Sequence, residues 1–288
     1  MKTLVSPAIV LRHTNYRDAD RVVTFMTRDF GRLSGLARGV RRSVRRFGGR
    51  LDLFSHVELT WRPGRGELVH LESAKLINAH LGLRNDLPRM AWAGVFSELV
   101  ERLFQPDEVN AHAFDILAAV LSYSESVTDY EPTVVRLAGL HLLSVAGFRP
   151  ELRVCVRCRR PPARHAPHRL DVSRGGIVCH ACVPTGQAIP LSEATLDALA
   201  HSIDASLEEL ADVSLNPALK RELKDIFQAF VTYHVGEPLK ASRFLAHLEA
   251  GDEPEGKASE AGDEHGGRNV SAGKRGEEGG AGEGRMES

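Results

Sequence analysis

Four cysteines arranged in two close pairs are the residues of this sequence whose spacing most clearly predicts chemistry. Cys155 and Cys158 form one Cys-x-x-Cys pair, Cys179 and Cys182 form another, and twenty residues separate the pairs. Each such turn directs two sulfurs at one ion, and this separation lets the second turn return opposite the first. The pattern predicts one structural Zn²⁺ per chain, because four thiolates leave no open position for water or substrate. Two disulfides or a redox pair are the alternatives.

An arginine-rich segment is the second feature whose residue types predict ligand binding. Residues 31–50 read GRLSGLARGVRRSVRRFGGR and contain no carboxylate. The arginines that crowd this segment are Arg38, Arg41, Arg42, Arg45, Arg46 and Arg50. Such a run repels itself unless an anion lies against it, and the guanidinium fork suits phosphate. We predict a nucleic-acid-binding loop in which Phe47 could stack on a base. A solvated basic surface is the alternative.

The residues around the arginine-rich segment have the pattern of short strands. Five apolar segments lie between residues 4 and 77, separated by turn signals, and in HVELTW the residues Val57, Leu59 and Trp61 fall on one face. Five strands in so short a stretch predict a small closed barrel of the OB-fold type, which binds single strands. We therefore assign residues 1–80 to an OB-fold nucleic-acid-binding domain.

Helical periodicity begins after this barrel. Apolar residues recur at helical spacing from residue 86, and Asn110, Pro132 and Ser192 mark further helix starts. We assign residues 81–250 to a helical domain that carries the four-cysteine unit as a zinc-ribbon-like insertion at 153–185. The overall class is thus α+β multidomain.

The final segment, residues 251–288, has a different composition. It holds 11 of the 26 glycines and 10 acidic against 5 basic residues, whereas residues 1–80 hold 15 basic against 7 acidic. Such a segment buries too little apolar surface to offset chain entropy, so we predict a disordered acidic Gly/Glu-rich tail. Its carboxylates could compete with DNA for the basic barrel, or the tail could only increase solubility.

Several classes of function find no support in the sequence. It contains no phosphate-binding loop, no His-Glu-x-x-His, no nucleophile elbow and no acidic cluster for two metals, so we expect no catalysis and no small-molecule substrate. No window approaches the apolar run of about 18 residues that a membrane helix needs, and we expect a cytoplasmic, nucleoid-associated protein without a membrane partner. Three classes of function remain: a nucleic-acid-handling protein, a zinc-stabilised structural adaptor, and an enzyme whose catalytic residues are dispersed along the sequence.

Two stretches carry a resemblance to a known family. The segment AIVLRHTNYRDADRVVTFMTRDFGRLSGLARGVRRS, and HLLSVAGFRPELRVCVRCRR followed by GGIVCHAC, resemble the bacterial recombination mediator and DNA repair family RecO. The resemblance runs from Ala8 to Phe244 and implies an OB-fold, a helical domain and a zinc-binding insertion. It also implies binding of single- and double-stranded DNA, annealing of complementary strands and, together with RecR, loading of RecA onto strands coated by single-stranded DNA-binding protein (SSB). The acidic tail departs from the family pattern.

The resemblance further implies that the helical domain receives the acidic tail of SSB. Arg136 is the only arginine or lysine on the third predicted helix, beside an apolar face that also holds His141. A guanidinium beside an apolar face can seat a carboxylate, so Arg136 is our candidate partner-binding residue. Alternatively, Arg136 only extends along the helix surface or pairs with a neighbouring carboxylate. If neither annealing nor SSB binding occurs, the alternative functions are a structural adaptor or a general nucleic-acid-binding protein.

Overall fold

The N-terminal strands close into a five-stranded barrel. The computed structural model describes residues 2–40, 47–64, 66–161, 168–183 and 188–250. The barrel strands are β1 (Leu4–Tyr16), β2 (Asp20–Thr27), β3 (Gly31–Ala37), β4 (His56–Arg62) and β5 (Leu68–Asn78). Their order is β1-β2-β3-β5-β4, and β4 pairs back onto β1. All pairs are antiparallel except β3 with β5, where Leu36 lies opposite His70. This arrangement confirms the predicted OB-type barrel.

Inward-facing apolar side chains fill the barrel, and along β3 and β4 they alternate with less buried residues. Along β4, Val57, Leu59 and Trp61 are at most 1% exposed, as the sequence pattern predicted. The Phe30 ring meets Trp61 edge to face at 5.1 Å between centroids. Large side chains at these inward positions fill a closed barrel of few strands, which has no room for a ligand inside. A ligand of this barrel must therefore lie on its outer surface.

Seven helices follow within the described chain. They are α1 (Leu87–Leu103), α2 (Ala111–Ser126), α3 (Pro132–Leu143), α4 (Glu193–Ser202), α5 (Leu207–Ala211), α6 (Pro217–Val235) and α7 (Lys240–Ala250). Asn110 and Ser192 accept hydrogen bonds from the first-turn amides of α2 and α4, which confirms both predicted helix starts. His141 is 5% exposed and packs in the core. None of the described helices is long and apolar enough to cross a membrane.

A small sheet interrupts the helices between α3 and α4. Its strands are β6 (His168–Asp171), β7 (Gly176–Val178) and β8 (Ile189–Leu191), in the order β7-β6-β8. The four cysteines lie before and after β6 and β7, so the metal-ligand unit is inserted between helices that also pack on one another. The predicted insertion is confirmed in this respect.

The barrel and the helices share an apolar core. Ile9, Leu11 and Met26 of the barrel belong to the same buried cluster as the helices. Two exposed ion pairs cross this contact: Arg28 with Asp115 at 3.0 Å, and Arg12 with Glu101 at 3.2 Å. The predicted boundary at residue 80 falls between β5 and a short 3-10 helix, Leu81–Asn85, and stays a prediction, as does the boundary at 250.

Candidate metal centre and nucleic-acid interface

Backbone hydrogen bonds shape two tight turns that present the cysteines. In the first turn, the Cys155 amide donates to the Arg160 carbonyl at 2.8 Å and the Arg159 amide donates to the Cys155 carbonyl at 2.9 Å. In the second, the Cys182 amide donates to the Cys179 carbonyl at 2.8 Å. A hydrogen bond of 2.9 Å from the Arg157 guanidinium to the Cys182 carbonyl joins the two turns. The two Cys-x-x-Cys sequences therefore face each other.

The spacing of the sulfurs fits a single tetrahedral ion. All four Sγ atoms lie within 4.8 Å of one another, and those of Cys158 and Cys179 are 3.7 Å apart. Sulfurs at about 2.3 Å from one zinc ion in a tetrahedron stand about 3.8 Å apart. A disulfide requires about 2.05 Å, and all four cysteines are free. The arrangement suits a metal ion that prefers thiolates.

Electrostatics within this cluster also favour a bound cation. Burial raises the pKa of Cys155, but amide donors from Cys158, Cys179 and Arg157 outweigh that effect and lower the pKa to about 6. The neighbouring thiols of Cys179 and Cys158 raise the pKa of Cys182 to about 12. Four thiolates at this distance repel one another, and a divalent cation removes that repulsion while keeping all four deprotonated.

A glycine lets the first turn approach the small sheet. The Glu151 amide donates to the Gly175 carbonyl at 2.8 Å, and the Ile177 amide donates to the Glu151 carbonyl at 2.9 Å. A Cβ atom on Gly176 would lie 2.5 Å from the Glu151 carbonyl oxygen. Since no Cβ tolerates that distance, glycine at residue 176 permits the close contact that positions Cys155.

The arginine-rich segment begins with β3 and continues towards β4, and residues 31–40 and 47–50 of it are described. Arg38 follows β3 on the surface, and the Gly39 amide donates to the Asp20 carboxylate at 2.8 Å. At the other end, the Arg50 guanidinium donates to the Ala74 carbonyl at 3.2 Å. The predicted DNA-binding residues Arg41, Arg42, Arg45 and Arg46 lie outside the described residues. The segment thus starts and ends against the barrel wall.

The stacking role expected for Phe47 is wrong in this arrangement. Phe47 is fully buried and belongs to the barrel core together with Leu51. A base can stack only on a ring whose face is accessible. The error arose because Phe47 lies between arginines and glycines outside any periodic strand, so nothing in the sequence revealed its inward orientation. Its observed position anchors the end of the arginine-rich segment to the barrel.

A surface pocket beside Arg38 brings together basic residues that the sequence did not indicate as partners. Arg38, Arg62 and His70 line this pocket of about 460 Å³, together with Leu36 and Glu72. The Arg62 guanidinium binds the Glu72 carboxylate, and this hydrogen bond lowers the pKa of Glu72. The parallel pairing of β3 with β5 creates the pocket. Strand pairing of this kind is not visible in the sequence.

Arg136 lies at the side of an apolar groove among the helices. It is 8% exposed, and its guanidinium carbon stands 5.1 Å from the centre of the Trp92 ring, a cation–π contact. Helices α1, α3, α6 and α7 contribute the groove walls. The residues lining this groove of about 460 Å³ are Trp92, Arg136, Lys224, Phe227, Gln228, Val231, Thr232, Pro238, Leu239, Ser242, Leu245 and Ala246. We call it the Arg136 groove.

Comparison with known proteins gives consistent matches along the chain. Residues 1–80 match the family described as "Recombination protein O N terminal", and residues 84–243 match "Recombination protein O C terminal". The "DNA repair protein RecO" of Anaeromyxobacter sp. (strain K) is 36% identical over 242 residues, which cover 83% of this chain and 94% of the relative. The protein of that name from Symbiobacterium thermophilum is 32% identical over 243 residues, with 83% and 95% covered.

Proposed function

The chain belongs to the RecO family of DNA repair proteins, and on that premise we propose that it is a non-catalytic recombination mediator. It binds single- and double-stranded DNA, anneals complementary strands and, with RecR, helps RecA load onto SSB-coated single strands in the cytoplasm, at the nucleoid. The observation that carries this proposal is an OB-type barrel whose β3–β4 connection holds six arginines and no carboxylate between them. Phosphate contacts of this kind give affinity without base specificity.

The proposed DNA path starts on the arginine-rich segment. Arg38, Arg41, Arg42, Arg45 and Arg46 contact phosphates, while Arg50 also holds the segment against the barrel through the Ala74 carbonyl. Arg62 and His70 extend this basic surface in the pocket beside Arg38. A backbone path over the outside of the barrel agrees with an interior filled by side chains.

The metal centre is proposed to bind one structural Zn²⁺. Cys155, Cys158, Cys179 and Cys182 would hold it, and the spacing of 3.7 Å between two of their sulfurs supports tetrahedral thiolate coordination. The ion closes the two turns against each other, because folding of such small units depends on the metal.

The Arg136 groove is the proposed seat of the SSB tail. It pairs a guanidinium with apolar walls, which suits an acidic peptide that also carries an aromatic side chain. Binding there would bring the barrel to SSB-coated strands, where annealing begins.

Annealing of complementary oligonucleotides pre-coated with SSB tests the function. We expect the wild-type chain to accelerate annealing, and the variant with Arg41, Arg42, Arg45 and Arg46 all replaced by Ala to be slower by about tenfold or more, since phosphate contacts dominate the affinity. A wild-type chain that binds DNA but does not accelerate annealing would instead indicate a general nucleic-acid-binding protein. A chain that binds no DNA would indicate a structural adaptor.

A further inference from the structure

The barrel exposes one large aromatic side chain. Residues 1–80 contain six Phe, Tyr and Trp residues, and the structure describes all six. Phe30 packs against the barrel core, and the four buried ones are Phe25, Phe47, Phe54 and Trp61. Tyr16 is the exception, with 44% of its surface exposed. Since Phe47 is buried, Tyr16 is the ring on this barrel that an unpaired base can reach.

Tyr16 lies at the tip of an exposed hairpin. Strand β1 pairs with β4 only from Leu4 to Ile9, whereas its pairing with β2 continues as far as Tyr16, which lies opposite Asp20. Residues 17–19 join the two strands, and residues 14–18 are all exposed. The β1–β2 hairpin therefore extends beyond the β1–β4 pairing and ends in solvent.

Arg17 places a second flat group beside the Tyr16 ring. Its guanidinium carbon lies over this ring, 5.2 Å from the ring centre, in a cation–π contact. The backbone of Arg17 has a φ of 54°, a left-handed conformation that glycine adopts with less strain. Bases in single strands stack on aromatic rings and on guanidinium planes. The tip of the hairpin therefore presents both kinds of stacking group.

The hairpin is joined to the start of the arginine-rich segment. Asp20, which pairs with Tyr16 across the hairpin, accepts a hydrogen bond from the Gly39 amide at 2.8 Å. Opposing residues of an antiparallel pair have Cα atoms about 5 Å apart. One strand pair and one side chain thus separate Tyr16 from the segment. A single strand contacts an OB-fold over about 4–16 nucleotides, which is long enough to contact both.

The charges of the hairpin tip favour a base over a phosphate. Asp18 and Asp20 add negative charge beside Arg17, and negative charge disfavours a phosphate at the tip itself. A base carries no charge and can stack there, while the phosphates follow the arginines. In a duplex the bases are paired and stacked on one another, so a base must leave the helix before it can reach such a ring. Stacking at the tip therefore selects single strands.

We propose that Tyr16, together with Arg17, stacks on an unpaired base of a single strand whose phosphates follow the arginine-rich segment. This contact makes the protein prefer single-stranded over double-stranded DNA. The inference rests on the proposed function, because it adds a base contact to the same DNA path. If the contact between Arg17 and Tyr16 only stabilised the turn, DNA affinity would not depend on the ring.

Fluorescence anisotropy on three labelled ligands tests the stacking contact in the full chain. The ligands are a single-stranded oligonucleotide, the same strand with abasic sites, and the duplex. Tyr16→Ala should weaken binding of the intact single strand by about tenfold, because a base–aromatic contact contributes about that much affinity. Binding of the abasic strand and of the duplex should stay within about twofold, since phosphate contacts dominate there. Tyr16→Phe keeps the ring and should bind all three ligands normally.

Tyr233→Ala is the matched control. Tyr233 is 54% exposed and lies on α6, outside the barrel. Its removal should leave all three affinities unchanged. Unchanged affinity of Tyr16→Ala for the intact strand, or an equal loss on all three ligands, would overturn the inference and leave the proposed function standing. A wild-type chain that binds none of the ligands would contradict the proposed function itself, and the inference with it.

Photochemical cross-linking tests the contact without any substitution. Iodouracil in place of thymine loses iodide under ultraviolet light and couples to an aromatic side chain that lies against it. We expect mass spectrometry of the wild-type chain to find the cross-link on Tyr16. Cross-links confined to other residues of the barrel would overturn the assignment of the stacking contact to Tyr16.

Discussion

The candidate metal centre consists of four cysteines, and the sulfurs of Cys158 and Cys179 are 3.7 Å apart. Because no carboxylate or histidine is needed to complete this ligand set, each cysteine should be essential for metal binding. Cys158→Ser removes one thiolate and should reduce bound zinc from about one equivalent to well under half, because three ligands leave the tetrahedron open. Elemental analysis of protein purified without chelator measures this directly. The thermal midpoint should fall while the barrel stays folded.

His180→Ala is the matched control for the zinc prediction. His180 lies between Cys179 and Cys182 on the exposed side of the second turn. Its removal should leave one equivalent of zinc in place. Wild-type protein with less than half an equivalent, or a Cys158→Ser variant of unchanged thermal stability, would contradict a structural zinc.

The Arg136 guanidinium gives a second prediction at the residue scale. Arg136→Ala should weaken binding of the SSB tail peptide by about tenfold or more, since a hydrogen bond to a charged group contributes about 1.5–3 kcal/mol. Arg149→Ala, which removes an exposed guanidinium paired with Asp204 at 2.7 Å, is the control and should bind normally. Anisotropy titrations measure both, with thermal melts to confirm folding. An affinity within twofold of wild type would remove Arg136 from the partner site.

Gly139 on α3 lies against the Phe227 side chain, which lines the Arg136 groove. A Cβ atom at this position would lie 2.4 Å from a ring carbon of Phe227, which lines the groove. Gly139→Ala should therefore separate α3 from α6 and destabilise the protein by about 1–3 kcal/mol through overpacking. Urea unfolding measures the change, and Gly236→Ala is an unsuitable comparison because its φ of 80° adds strain of a different kind. Unchanged stability would mean that the Phe227 ring shifts freely.

At the scale of the elements, the arginine-rich segment predicts a measurable salt dependence. Four phosphate contacts on single-stranded DNA give a slope of about −3 in a plot of log affinity against log salt. Replacing Arg41, Arg42, Arg45 and Arg46 by Ala should flatten the slope by up to about 3, for every DNA sequence alike. The fold should survive, because the anchor residues Phe47 and Arg50 are unchanged.

Variants on the helices provide the comparison for the salt slope. Arg102→Ala and Arg149→Ala each remove an exposed arginine outside the barrel, which is paired with Glu237 and Asp204 respectively. They should keep the wild-type slope. If the quadruple variant also keeps it, the arginine-rich segment is only a solvated surface.

The elements that sequence reasoning predicted best are those whose pattern depends on local contacts. Alternation in β4 and caps at Asn110 and Ser192 are local signals, and the structure confirms them. The short helix α5 was missed, because five residues are too few for a periodic pattern even with a capping box at Ser206. The inward orientation of Phe47 and the pocket of Arg38, Arg62 and His70 depend on contacts between distant strands, which no local pattern encodes.

Over the whole molecule, buried histidines predict how stability depends on pH. Burial lowers the pKa of His56, and it lowers that of His80 despite the opposing hydrogen bond to Glu125. Burial, together with His112, also lowers the pKa of His141. The unfolded chain therefore takes up protons more readily than the folded one below the ordinary histidine pKa of about 6.5. The free energy of unfolding should therefore keep its highest value above that pH and decrease as the pH drops below it.

Urea unfolding at pH 7.5 and pH 5.5 checks this expectation. His56→Gln should reduce the loss of stability between the two pH values, whereas His247→Gln on the exposed side of α7 should not. An equal loss in both variants and the wild type would exclude His56 as a source of the pH dependence.

The joint core of barrel and helices is the largest feature that the sequence did not reveal. Ile9 and Met26 are strand residues that face away from the barrel interior and into the helical cluster. A strand with two apolar faces appears in the sequence as a continuous apolar run. Such a run indicates that both faces are buried, but it does not indicate which element packs against each face. The association of a barrel with a helical domain was thus predictable, and their packing surface was not.

The groove beside Arg136 has a consequence for synthesis on the ribosome. Its walls come from Trp92, Arg136, Phe227 and Leu245, and the amide of Lys240 reaches Glu98 across 142 residues of chain. The barrel is complete in sequence once Asn78 has been made, whereas the groove needs almost everything up to α7. Domains generally fold from the N-terminus during translation. A nascent or prematurely terminated chain would thus form the barrel proposed to bind DNA well before it could form the groove proposed to bind the SSB tail.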